Sequence, residues 1–100
     1  MKLVPLLLGV SKDSLLRLDC ETKEVRESFP LTSVKRWVSD EKIFSVDFGD
    51  FHKSFSVQTT EGQKIANLVA GYVAKIDKGI KAYYDLEFFL IKWVQMNKLL

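Results

Sequence analysis

The chain has 100 residues, of which 47% are hydrophobic and 28% charged, with a formal net charge of +2. These values describe one small globular domain, not a disordered chain, and the charge is too weak to argue for nucleic acid. Cys20 is the one cysteine, which excludes an internal disulfide and a cysteine-based metal site and fits a reducing, cytosolic setting.

The first apolar run, Leu3–Val10, is too short for a membrane span or a signal peptide, and Pro5 interrupts it. Its core, Leu6–Val10, reads as a buried strand. Ser14–Asp19 is a second strand, Asp19–Lys23 a polar turn, and Glu24–Phe29 a third strand, so the last two form a hairpin with a longer loop. Pro30 stops the third strand, because proline has no N–H for a ladder. Ser33–Val38 alternates as a fourth strand, with Val34, Arg36 and Val38 on one face and Lys35 and Trp37 on the other. After a polar turn at Ser39–Lys42, Ile43–Phe48 turns Phe44, Val46 and Phe48 to one side. Gly49-Asp50 is turn chemistry, and Ser54–Thr59 is a sixth strand.

The period then changes. Ile65, Leu68, Val69, Tyr72, Val73 and Ile76 form one apolar stripe on a helix. Thr60 is the expected N-cap, with Gln63 completing a capping box, and Gly79 is the expected stop. Gly62 and Gly71 each cost about 1 kcal/mol relative to alanine inside a helix. Gly71 therefore predicts close packing against the sheet. Residues 80–85 read as a linker with Tyr83 and Tyr84. Leu86–Val94 is rich in aromatic and β-branched residues and reads as a strand, a second helix being the alternative. Many strands and one amphipathic helix predict a small sandwich or open barrel capped by the helix.

Nothing in the chain carries catalysis. His52 is the only histidine, so no histidine cluster can hold a metal, and no glycine-rich phosphate loop occurs. Asp47, Asp50 and Glu41 read as turn and solvent carboxylates rather than an acid–base pair. A cofactor is not expected. The recognisable feature is recognition itself. Ser33–Val38 has the pattern of an exposed edge to which an extended peptide adds as one more strand. There Trp37 supplies an apolar wall and Arg36 stacks on an aromatic or holds a carboxylate, or else Trp37 is plain core and Arg36 a solvated rim.

The residues resemble the third lobe of the talin FERM domain, which has a phosphotyrosine-binding-like fold. The matching stretches are Lys2–Pro5, Leu7–Gly9, Thr22–Val25, Lys35–Trp37, Asp47–Asp50, Ser56–Gly62, Ile65-Ala66 and Ala70–Tyr72. The resemblance implies a PH/PTB-like sandwich of seven antiparallel strands with a capping helix. It also implies an adhesion adaptor that binds an integrin β cytoplasmic tail through an Asn-Pro-x-Tyr turn and an upstream Trp, at the inner face of the plasma membrane. The implied peptide surface is Ser33, Val34, Lys35, Arg36, Trp37, Val38, Ser39, Phe55, Val73 and Ile76. Lys2, Leu3 and Lys98 map near the loop that meets acidic lipid headgroups. A monomer is expected, and nucleic acid is not an expected partner.

The sequence departs from the family at its ends. The family lobe begins with a strand before the Lys-Leu-Val-Pro segment, whereas here Glu87–Lys92, after the helix, resembles that strand. A circular permutation is the expectation, with six strands in residues 1–59, the helix in 60–78, the linker in 80–85 and the moved strand in 86–94. An engineered chain order would explain it. Val38, Asp40 and Asp77 depart from the family pattern, and Val38 is expected to narrow the peptide pocket. The alternative functions are an acidic-phospholipid headgroup module of the PH type and a folding scaffold without a partner.

Overall fold

The computed structural model describes residues 2–49, 54–79 and 86–95, with side chains described from 4–49, 54–79 and 86–93. Its elements in order are β1 (Lys2–Val10), β2 (Ser14–Leu18), β3 (Val25–Pro30), a 3₁₀ turn (Leu31–Ser33), β4 (Arg36–Ser39), β5 (Ile43–Asp47), β6 (Phe55–Gln58), α1 (Gly62–Asp77) and β7 (Glu87–Gln95). The strands form one continuous sheet in the order β3-β2-β1-β7-β6-β5-β4. Every pairing is antiparallel.

β7 joins the two halves of the sheet. It pairs along its whole length with β1, from Lys2↔Gln95 to Val10↔Glu87. On its other side it meets β6 only at Val57↔Trp93 and Gln58↔Lys92. The halves therefore diverge beyond that contact and fold over one another. Leu8, Val10 and Leu15 from one half pack in the same cluster as Phe44, Val46 and Val57 from the other, closed by Ile65, Ala66 and Val69 of α1. Period-two alternation places these residues inward, since successive strand side chains point to opposite faces. β5 is the clearest case, with Phe44 and Val46 buried between half-buried neighbours.

The predicted stripe on α1 is the packed face. Ile65 and Val69 are fully buried, while Leu68, Tyr72, Val73 and Ile76 are half-buried against the core. α1 lies against β4, β5, the 3₁₀ turn and β1. Its start differs from expectation. Glu61 is the N-cap and no side chain caps it. Thr59 Oγ1 instead accepts the Glu61 N–H at 3.0 Å, and Gln63 Nε2 donates to Asn67 Oδ1 rather than back to the cap. The reason is that the chain reaches the helix through buried Thr59, leaving Thr60 exposed. Gly71 also differs, because a methyl there would meet nothing within 4 Å. The close approach is at Gly62, where a Cβ would stand 2.6 Å from the Ile43 carbonyl oxygen. Gly79 ends the helix in the left-handed region at φ 70°.

Candidate functional site

β4 is the last strand of the sheet and pairs only with β5, so one of its edges is free among the described residues. Its entry is set by residues 30–35. Pro30 ends β3, and Leu31–Ser33 then make a 3₁₀ turn with Leu31 buried beneath it. The strand thus begins at Arg36, later than the predicted Ser33. Ser33 is exposed at the end of the turn, and Val34 is half-buried against the core between turn and strand. A single turn of 3₁₀ leaves little trace in a sequence, because three residues carry no full hydrophobic period.

The register fixes which side chains point out. Arg36 pairs with Asp47, Trp37 with Val46, Val38 with Ser45 and Ser39 with Phe44. Val46 and Phe44 are core, so Trp37 and Ser39 face inward, and both are half-buried. Arg36 and Val38 face outward. Val38 is 59% exposed. Phe55 lies two strands away from the free edge, opposite Val46 on β6. Its half-buried ring packs with Phe29 (centroids 4.9 Å apart) and Trp93 (4.6 Å) in an aromatic cluster. Val73 and Ile76 are half-buried against the core on α1, a helix that lies against β4 among other elements, while Asp77 is exposed at the last turn. Val34, Trp37, Val73 and Ile76 all pack against the same buried core, whereas Phe55 lies two strands in from the free edge.

One network at this edge was not legible by spacing. Asp47 Oδ1 accepts the Gly49 N–H at 2.8 Å and the Ser54 hydroxyl at 3.0 Å, while Oδ2 accepts Arg36 Nε at 3.0 Å. The Gly49 N–H, then the Ser54 hydroxyl and the Arg36 charge, hold the Asp47 carboxyl below the usual range. Gly49 sits at φ 78°, and a side chain there would strike the Lys35 stem at 2.7 Å. Only the β4–β5 pairing shows that residues 36 and 47 are neighbours.

Two clefts lie elsewhere. One of about 670 Å³ opens at the end of the sandwich beside Val4, Leu6, Arg17, Asp19, Arg26 and Trp93. Both of its arginines are ion-paired, although the buried Arg17 Nε has no hydrogen-bond partner. Arg17 pairs with Glu27 at 3.1 Å and lies over the Trp93 ring, 5.1 Å from its centroid. Arg26 pairs with Asp19 at 2.8 Å. The Asp19 carboxyl is held far below its usual range by the Thr22 N–H first, then by Arg26 and the Glu21 N–H. A second cleft, of about 610 Å³, is lined by Pro5, Ile43, Thr59, Leu90 and Ile91 with Lys42 and Lys92 among its walls. It opens where β7 and β6 diverge, a feature of sheet curvature that the strand pattern does not reveal. Lys2 and Leu3 begin β1, but their side chains, like all of Lys98, lie outside the described residues. His52, Asp50 and the tyrosines of the linker are outside them as well. Among the described residues no group of three or more His, Cys, Asp or Glu is placed to hold a metal. None of their helices is long and apolar enough to cross a membrane.

An antiparallel sheet folded over one amphipathic helix leaves a free edge strand of the kind that can accept an added strand. The PTB domain family of the IRS-1 type matches residues 1–77. The chain belongs to that family. It is 56% identical to Talin-2 of Homo sapiens over 73 residues, covering 72% of this chain and 3% of that one. It is 48% identical to Talin-1 of Gallus gallus over 89 residues, covering 86% and 4%. It is 49% identical to Talin of Oscarella pearsei over 82 residues, covering 81% and 3%. These similarities fit the third lobe of a talin FERM domain. The chain spans only a few per cent of the length of these curated relatives.

Proposed function

We propose that this lobe is a non-enzymatic adhesion adaptor that binds the cytoplasmic tail of an integrin β subunit carrying an Asn-Pro-x-Tyr motif. The tail adds as a strand to the free edge of β4, with its turn against the Val73–Ile76 face of α1. The observation that carries this reading is the unpaired edge of Arg36–Ser39 beside α1. Main-chain hydrogen bonds along the edge supply affinity, and the side chains around it supply choice. The setting is the inner face of the plasma membrane, with the lobe acting as a monomer. Lys2, Leu3 and Lys98 supply contact with acidic lipid, each lysine near such a surface adding about 1 kcal/mol. Binding of a phospholipid headgroup within the open end of the sandwich is the weaker reading, because Arg17 and Arg26 there are already ion-paired.

The chain order is a circular permutation of the family's, with β7 in the place of its first strand. Two facts support this. The PTB family model covers residues 1–77, before β7 begins, and β7 is the one strand that links β1 to β6. Residues 1–77 alone would leave that slot open.

Amide-shift titration with an Asn-Pro-x-Tyr peptide tests the function. Shifts centred on Arg36–Ser39 and Val73–Ile76 are expected. A folded spectrum in which those amides stay still would refute the reading.

A further inference from the structure

We propose that the outward face of β7 is a docking surface for a second copy of this chain, with the two β7 strands lying antiparallel across a twofold axis at Leu90. The contact goes beyond the peptide reading and leaves it intact, because β7 stands three places from β4 in the sheet. Each lobe keeps its own free edge and takes its own tail. At low concentration the lobe is a monomer.

The sheet carries a second apolar face. Along β7, Phe89 and Ile91 point into the core, so Phe88, Leu90 and Lys92 point outward. Leu90 is 69% exposed and Phe88 44%. The register sets Leu7 beside Leu90, and Leu18 beside Leu7. Leu7 and Leu18 are buried yet stand outside the core cluster, so this outward row has apolar packing of its own. Next to the row lies the cleft of about 610 Å³ between β7 and β6, with Pro5, Ile43 and Leu90 in its walls beside Lys42 and Lys92. The solvent face of an antiparallel sheet is ordinarily polar, and a continuous apolar patch on it marks an interaction surface.

This face carries its own complement. A twofold axis through Leu90 runs one β7 against the other in opposite directions, so every contact forms twice. Leu90 then meets Leu90 of the second copy. Phe88, two residues before the axis, meets Lys92, two residues after it. The Phe88 ring reaches the mouth of the other copy's cleft, where the ammonium groups of Lys42 and Lys92 are attracted to an aromatic face. The end of β7 that carries Glu87 comes to the end that carries Lys92. A parallel stacking would instead set Lys92 on Lys92 and leave each cleft without a ring. The formal net charge of +2 is too small to hold two copies apart. Sheets stacked face to face lie about 10 Å apart with their side chains interdigitating, which suits an exposed leucine and ring opposite an open cleft.

The test is sedimentation of the full chain over a range of concentrations, with amide spectra reporting the fold. The average mass should rise from that of one chain toward that of two between about 10 μM and about 1 mM. Leu90→Glu should keep the mass at one chain throughout. Phe88→Lys and Lys92→Glu should each weaken pairing about three- to tenfold, and the two together should restore it to within about twofold, since positions 88 and 92 then form an ion pair. If Leu90→Glu loses the spectrum of the unchanged chain, Leu90→Ser replaces it with the same expectation. A single-chain mass across the whole range overturns the inference. So does pairing that survives the change at Leu90, or a double variant that pairs no better than the single ones. Each of these results leaves strand addition at β4 standing, because the tail titration reads that separately.

Discussion

Two glycines in α1 make opposite predictions. Gly62 faces the Ile43 carbonyl, and a Cβ there would stand at 2.6 Å. Gly62→Ala forces the backbone of β5 or the helix start to move and should destabilise the fold by about 1–3 kcal/mol. Gly71 has open space around its missing side chain. Gly71→Ala gains helix propensity with no clash and should stabilise by up to about 1 kcal/mol. Thermal or urea unfolding of the two variants checks both signs. The sequence alone assigned the close packing to Gly71 and not to Gly62, because a glycine on a helix says only that something is unusual, not whether it is packing or tolerance.

The acid side of the stability curve belongs to the same scale. Asp19 and Asp47 both have depressed carboxyl pKa values in the folded chain. Their stabilisation is therefore present above the unfolded aspartate value of about 3.9 and is lost as pH falls through the folded values. Asp19→Asn keeps an oxygen to accept the Glu21 and Thr22 N–H but removes the titrating charge and the Oδ2 acceptor of Arg26. Unfolding followed from neutral pH down should show a shallower acid loss in that variant than in the unchanged chain. An identical slope would mean that the turn carboxylate carries no linkage.

At the scale of elements, β7 is decisive. Phe89 is 3% and Ile91 4% exposed, and both lie in the main core cluster. Phe89→Ala should cost about 3–5 kcal/mol, a large part of a small domain's stability. If the chain order is a permutation, residues 86–95 moved ahead of Lys2 on a short linker should restore the same amide spectrum and a similar melting temperature. A relocated chain that unfolds or gives a different spectrum would contradict it. Much of this level was legible. Alternation placed Phe44, Val46 and Val57, the 3.6-residue stripe placed Ile65 and Val69, and the aromatic and β-branched run placed β7. What escaped were short or pairing-dependent features: the 3₁₀ turn at Leu31–Ser33, the uncapped helix start, and the Arg36–Asp47 contact between residues eleven apart. None of these has a periodic signature, and each is decided by where neighbouring elements place the backbone.

At the scale of the molecule, the sheet has two ends, β3 and β4, and they differ. β3 carries Arg26 and Glu27 on an exposed strand that ends in Pro30, features that discourage a further strand. β4 has α1 beside it and half-buried apolar groups in Trp37, Val73 and Ile76. The site residues in the sequence were therefore partly legible. Arg36, Trp37 and Val38 lie on one edge strand as expected, but their outward and inward directions needed the register, and the place of Phe55 in an aromatic cluster with Trp93 needed the strand pairing.

The most direct measurement is amide hydrogen exchange along β4 with and without an Asn-Pro-x-Tyr β-tail peptide. Amides of Arg36–Ser39 that point away from β5 lack a ladder partner in the free chain and should exchange quickly. On peptide addition they should become protected, while the outward amides of β3 stay unchanged. Protection that appears elsewhere, with β4 still exchanging freely, would contradict strand addition at this edge.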